Sequence, residues 1–204
     1  MVDLTEMEMD SLREIGNVGI GNSATALSKM IGKKVEIKIP CTEFIPIASY
    51  AEKAGGAEMV VFCMHIGVSG DLGGEALFFF QRENALRFVD LVNMQPDGTS
   101  KEFDEMSKST LLELSNIVVG SYLNSVANML KMEIFPEPPH AAEDMLQAVI
   151  DAVLAKLSRS ADDVLYIETE FSVGEQQIAG SFTMLFDEKS LSVLLSKLKE
   201  VYGI

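Results

Sequence analysis

The chain has no tryptophan, only two cysteines and two histidines, and few cations among its 204 residues. Sixteen lysines and arginines stand against thirty-one aspartates and glutamates, a formal net charge of −15. A field of that sign repels nucleic acid and anionic membrane, and draws in a protein partner with a basic face. Cys41 and Cys63 lack metal-ligand spacing, and His65 and His140 have no ligand cluster nearby in sequence, so no metal site and no cofactor of its own is expected. Cys63 lies within the apolar run 59–66 and reads as a buried, reduced thiol. No apolar run approaches the roughly 20 residues that span a bilayer. The acidic start, Met-Val-Asp-Leu-Thr-Glu, has no signal-peptide pattern. A soluble, cytoplasmic protein is the expectation.

What the chain does have is one helical stretch written twice. Glu14, Asn17, Gly21 and Met30 recur as Glu113, Asn116, Gly120 and Met129, each 99 positions on. A proline follows each asparagine by 23 residues, Pro40 and Pro139. Five shared positions at one offset indicate an internal duplication of about 100 residues within a single domain, with halves at 1–94 and 99–204. At 100° per residue, Asp10, Glu14, Asn17 and Gly21 fall on one stripe, with Leu12, Ile15, Gly19, Ala26 and Met30 roughly opposite. In the second copy Ser109, Glu113, Asn116 and Gly120 form the stripe, and Leu111, Leu114, Val118, Tyr122 and Met129 oppose it. Each helix therefore packs by one face and displays a carboxylate and a carboxamide on the other.

The remaining elements are read from periodicity and punctuation. Thr5 to Glu8 fits a capping box, and the first helix should stop at Gly32. Gly16, Gly19 and Gly21 lie inside it, each at a cost of roughly 1 kcal/mol that close packing against another helix would offset. A phosphate cradle is a poor fit, because these glycines sit within a helical pattern instead of after a strand. Residues 35–39 read as a strand ended by Pro40, and 44–48 as a short second one. Residues 58–68 and 74–81 read as a hairpin, the run Ala76 to Phe80 as buried on both faces, and 83–93 as a helix. After a break at 94–98 the order returns: a motif helix to about Leu130, a strand at 132–135, strands at 163–173 and 177–186, and a closing helix at 190–201. A helix over 141–157 has no evident counterpart in the first half. The prediction is an α+β fold, with two pseudo-symmetric halves sharing a largely antiparallel sheet flanked by helices.

The spacing Asp/Ser-x3-Glu-x2-Asn-x22-Pro resembles the active-site signature of the CheC/CheX/FliY family of chemotaxis phosphatases. It occurs twice without departure, which looks like the two-site CheC branch of that family. The resemblance implies catalysis by Glu14, Asn17, Glu113 and Asn116 on the aspartyl phosphate of the response regulator CheY. Glu and Asn alone make a poor independent enzyme, with no activated nucleophile and no histidine base beside them. A phosphorylated receiver brings its own acyl phosphate, Mg²⁺ and lysine, and lacks only an oriented water. The asparagine carboxamide suits that water, and the resemblance implies that the glutamate pairs with the receiver's lysine. Gly21 and Gly120 are read first as helix-packing positions and second as room for receiver loops. The prolines are assigned no chemistry beyond fixing the turn back toward the helix. The resemblance also implies a partner, the deamidase CheD, whose contact is assigned to Asp144 and Met145 in the helix over 141–157. The other reading is a non-catalytic adaptor that binds CheY-phosphate or regulates CheD, related to flagellar switch proteins.

Overall fold

The computed structural model describes residues 5–156, 163–173, 176–186 and 188–203. Among these residues the chain runs α1 (Glu6–Ile31), β1 (Val35–Pro46), α2 (Ile47–Lys53), β2 (Val60–Gly70), β3 (Gly74–Gln81) and α3 (Arg82–Val92). It continues with α4 (Glu105–Leu130), β4 (Ile134–Pro136), β5 (His140–Met145), α5 (Leu146–Lys156), β6 (Asp163–Val173), β7 (Gln176–Phe186) and α6 (Glu188–Tyr202). The strands form one sheet in the order β1-β6-β7-β3-β2-β4, with β5 also on β2. Every described pairing is antiparallel, as the short link between β2 and β3 requires. The fold is α+β.

The strands alternate with period two between helical layers. Phe62, Met64, Ile66, Phe78, Phe80, Ile167 and Phe182 face the layer of α1, α3, α4 and α6. Val61, Cys63, Leu77, Phe79, Tyr166 and Leu185 face α2 and α5. The run Ala76 to Phe80 is thus buried on both faces. The Cys63 thiol is free, and burial pushes its pKa up to about 12, so it stays protonated.

The two halves exchange strands. β1 pairs with β6, Val35 opposite Val173, while β4 and β5 pair with β2, Ile134 opposite Gly70 and Met145 opposite Val60. β3 and β7 join at the middle of the sheet. The connection between α3 and α4 is pinned by Asp90, whose buried carboxylate accepts the backbone N–H groups of Thr99 and Ser100, both at 2.8 Å.

Several expectations from the sequence are corrected. β1 is continuous through Pro40, where its register with β6 shifts between Lys38 and Cys41, so the proline interrupts the strand instead of ending it. A proline has no N–H for the ladder, and a terminal strand tolerates the gap. Pro139 likewise lies between β4 and β5 and ends neither. Residues 140–145 are a strand, because β2 offers them an open edge; the helix begins only at Leu146, and Leu157 lies outside the described residues. That helix is not an addition to one half: α2 begins at Ile47, 99 positions before Leu146. Met30 is exposed and Met129 half-buried; Leu27, Ile31 and Leu130 carry the packing there.

α1 and α4 pack antiparallel. Asn22 Nδ2 donates to Ser125 Oγ at 2.9 Å, and Ser23 Oγ to the Val118 carbonyl at 2.8 Å. Gly19 lies so close to Tyr122 that a Cβ there would stand 2.7 Å from its Cδ2 and 3.3 Å from its Cα. Gly19 and Val118 occupy matching positions at the offset of 99, as do Ser23 and Tyr122. Small residues on α1 thus receive the larger ones on α4, in two contacts related by one exchange. At Gly21 and Gly120, by contrast, an added Cβ would meet nothing within 4 Å, so helix packing does not explain them.

Gly19→Ala should destabilise the protein by about 1–2 kcal/mol, because overpacking against a neighbouring backbone outweighs the gain in helix propensity. Gly21→Ala should stabilise it by about 0.5–1 kcal/mol. Denaturant unfolding of the two variants checks the opposite signs.

Candidate functional site

Both motif helices are fixed at their first turns. Thr5 caps α1: its Oγ1 accepts the Glu8 N–H at 3.3 Å, and its own N–H donates to Glu8 Oε2 at 2.7 Å, closing the expected capping box. The buried Glu8 also pairs with Lys199 of α6 at 3.1 Å, tying the two helices together. Asp104 caps α4, accepting the Ser107 N–H at 2.7 Å. From these anchors the helical repeat carries the two stripes outward. Asp10, Glu14, Asn17 and Gly21 are exposed on α1, as are Ser109, Glu113 and Asn116 on α4, with Gly120 half-buried. Leu12, Ile15, Leu111 and Leu114 are buried on the opposite faces.

Among the described residues, the side chains of Glu14, Asn17, Glu113 and Asn116 make no hydrogen bond or ion pair with one another or with their surroundings. Asp10 does bind Arg13 at 3.1 Å, an exposed pair that contributes little to stability. Beside Glu14 stands the end of α6, where burial first, and the Glu14 charge second, raise the pKa of the Tyr202 hydroxyl.

Asn17 opens onto a groove of about 370 Å³ lined by Arg13, Ile39, Pro40, Cys41, Thr42 and Glu43. The groove walls are residues that sequence reasoning left out. The segment around Pro40, where the register of β1 with β6 shifts, lies beside α1 at Asn17. Burial and then the Glu43 carboxylate raise the Cys41 thiol pKa above its ordinary value. Glu43 is itself paired with Lys53. At the matching positions of the second half stand Leu112, Pro138, Pro139, His140, Ala141 and Ala142, so the surroundings of the two asparagines differ chemically.

Asp144 and Met145 are exposed, but they lie at the end of β5 that leads into α5, apart from the motif stripes. Met145 and its cross-strand neighbour Val60 are 48% and 45% exposed and form an apolar pair on the sheet. Among the described residues, no group of three or more His, Cys, Asp or Glu could hold a metal ion. No described helix is long and apolar enough to cross a membrane.

The architecture defines an α+β protein whose repeated Glu-x2-Asn groups are displayed on the outer faces of two packed helices. The sequence model of the CheC-like family matches residues 7–40 and 106–142, the two motif helices and the chain that follows each. Over 198 residues the chain is 32% identical to the CheY-P phosphatase CheC of Bacillus subtilis (strain 168), covering 94% of this chain and 93% of that protein. The chain belongs to the CheC-like family. It is also 26% identical to the flagellar motor switch phosphatase FliY of the same organism, across 89% of this chain and 46% of the longer FliY. The crystal structure of Thermotoga maritima FliY has the same fold, with a TM-score of 0.76 at 21% identity, covering 99% of this chain and 98% of that one.

The capping box makes the start of α1 sensitive to acid. The Thr5 N–H, then its hydroxyl, then Lys199 hold the Glu8 carboxyl below its ordinary value of 4.5. A lowered folded-state value means that this stabilisation is full above the unfolded value and is lost as pH falls through the folded one. Glu8→Gln should therefore unfold with a weaker dependence on pH between about pH 6 and pH 3. Thr5→Ala should cost about 1 kcal/mol at neutral pH. Thermal unfolding across that pH range checks both.

Proposed function

We propose that this protein accelerates hydrolysis of the aspartyl phosphate on a CheY-type response regulator, with one reaction site on each motif helix. The observation that carries the reading is the repeated, outward-facing Glu-x2-Asn pair in a chain that is 32% identical to a CheY-P phosphatase over nearly its whole length. The receiver supplies the phosphoryl group, with its own Mg²⁺ and lysine. Asn17 or Asn116 holds a water in line with phosphorus through its carboxamide and takes no proton. Glu14 or Glu113, one turn away, pairs with the receiver's lysine and fixes the docked pose. Gly21 and Gly120, open above the helix, leave room for the receiver's loops.

Asn17→Ala with Asn116→Ala should abolish the acceleration and leave the fold intact. On the two-copy reading, with halves at 1–94 and 99–204, each single variant retains part of the activity. Loss of one transition-state hydrogen bond worth roughly 1.5–3 kcal/mol slows a site by about 10- to 150-fold. A time course of phosphorylated CheY with each variant checks this, and a fully active double variant ends the reading. Binding of CheY-phosphate with no acceleration by the unmodified protein would leave the adaptor reading in its place.

Asp144 and Met145 form the proposed contact with CheD, supported now by the exposed apolar pair Met145 and Val60 at the sheet edge instead of by an extra helix. Asp144→Lys should weaken CheD binding in a calorimetric titration and leave phosphatase activity without CheD near the unmodified level. Normal CheD binding by the variant would place the contact elsewhere.

A further inference from the structure

Each motif stripe continues one step further toward the helix start than the Asp/Ser position, and in both copies it ends in an exposed methionine. Met7 precedes Asp10 by three residues, and Met106 precedes Ser109 by three. The spacing Met7, Asp10, Glu14, Asn17, Gly21 is +3, +4, +3, +4, which keeps all five on one helical face. Met106, Ser109, Glu113, Asn116 and Gly120 repeat it at the offset of 99. Met7 is 60% exposed and Met106 is 68% exposed. Each methionine thus leaves most of its apolar side chain in water, and the same choice is made at both matching positions.

We infer that Met7 and Met106 are apolar anchors for the docked receiver domain, one per site. The inference rests on the phosphatase reading above. Asn17 lies ten residues from Met7, about 15 Å along the helix, and Glu14 lies about 10 Å from it. A standard interface of about 800 Å² per partner is roughly 30 Å across, so a receiver centred near Glu14 covers both the asparagine and the methionine. Charge selects the same occupant. In a chain of net charge −15, exposed Glu6 and Asp10 flank Met7, Asp10 being paired with Arg13, and exposed Glu102 and Glu105 flank Met106, with Lys108 on its other side. The complementary surface is an apolar spot bordered by lysine or arginine on the receiver, continuous with the lysine that meets Glu14 or Glu113. A methionine, unbranched and polarisable, adapts to such a surface without a preformed pocket. The anchors bind and position the receiver; they take no part in the chemistry.

The test compares the unmodified protein, Met7→Ser with Met106→Ser, and Met7→Leu with Met106→Leu on phosphorylated CheY. The serine pair should raise KM about tenfold and leave kcat unchanged, the scale for burying one mostly exposed methionine per site. The leucine pair should restore KM. Titration with CheY carrying beryllofluoride should show the same loss of affinity and the same rescue. An unchanged KM in the serine pair, a fall in kcat alone, or a leucine pair as weak as the serine pair would each overturn the inference. So would a change in sedimentation of the serine pair without CheY, which would assign the methionines to contact with a second copy of the chain. If the unmodified protein fails to accelerate hydrolysis, the phosphatase reading itself falls, and the two failures are told apart.

Discussion

The close approach of α1 and α4 at Gly19 governs what either helix can display. With Tyr122 seated against a residue that has no side chain, the helices are held at one separation and one rotation. Rotation is what matters for the stripes: a helix turned by a single residue moves each side chain through 100° and would carry Glu14 and Asn17 into the core. The apolar residues beneath, Leu12 and Ile15 on α1 with Leu111 and Leu114 on α4, lock the same rotation from the sheet side. The displayed groups need no hydrogen bonds of their own because packing on the opposite face orients the backbone that carries them.

The exchange of strands between halves extends that constraint to the sheet. The strand that follows α1 joins the hairpin of the second half, and the strands that follow α4 join the hairpin of the first. Neither motif helix can shift on the sheet without disturbing ladder pairs made with the other half. The groove beside Asn17 has both its walls, α1 and β1, from the first half, and the strand that holds β1 in place, β6, from the second.

Much of this was legible in the sequence, for identifiable reasons. The motif helices announced themselves by a long 3.6-residue period, a capping box at Thr5 and a terminal glycine at Gly32, whose φ of 70° favours it. The central strands were legible because continuous apolar runs such as Ala76 to Phe80 belong between two layers. What failed was local composition overridden by distant pairing. Ala141 to Met145 has the alanines and acids of a helix, yet it lies on β2, whose partners are about 80 positions earlier in the chain. α2 escaped notice because seven residues cannot establish a period. At the site, the repeat spacing put Glu14, Asn17, Glu113 and Asn116 on outward stripes, as the structure has them, and the family resemblance alone gave them a role, whereas the groove residues around Pro40 lie at a register shift that no spacing reveals.

That register shift has a consequence away from the helices. β1 closes one end of the described sheet, and β4 with β5 closes the other. An open terminal strand is a template on which further chains can add, and proteins avoid such growth by breaking the row of free amides and carbonyls. Pro40 interrupts one rim, and the segment through Pro139 splits the other into two short pieces. β5, wholly exposed and carrying Glu143 and Asp144, adds charge to that rim. Pro40 and Pro139, 99 positions apart, thus stand at opposite ends of the described sheet, and Pro40 also lines the groove beside Asn17.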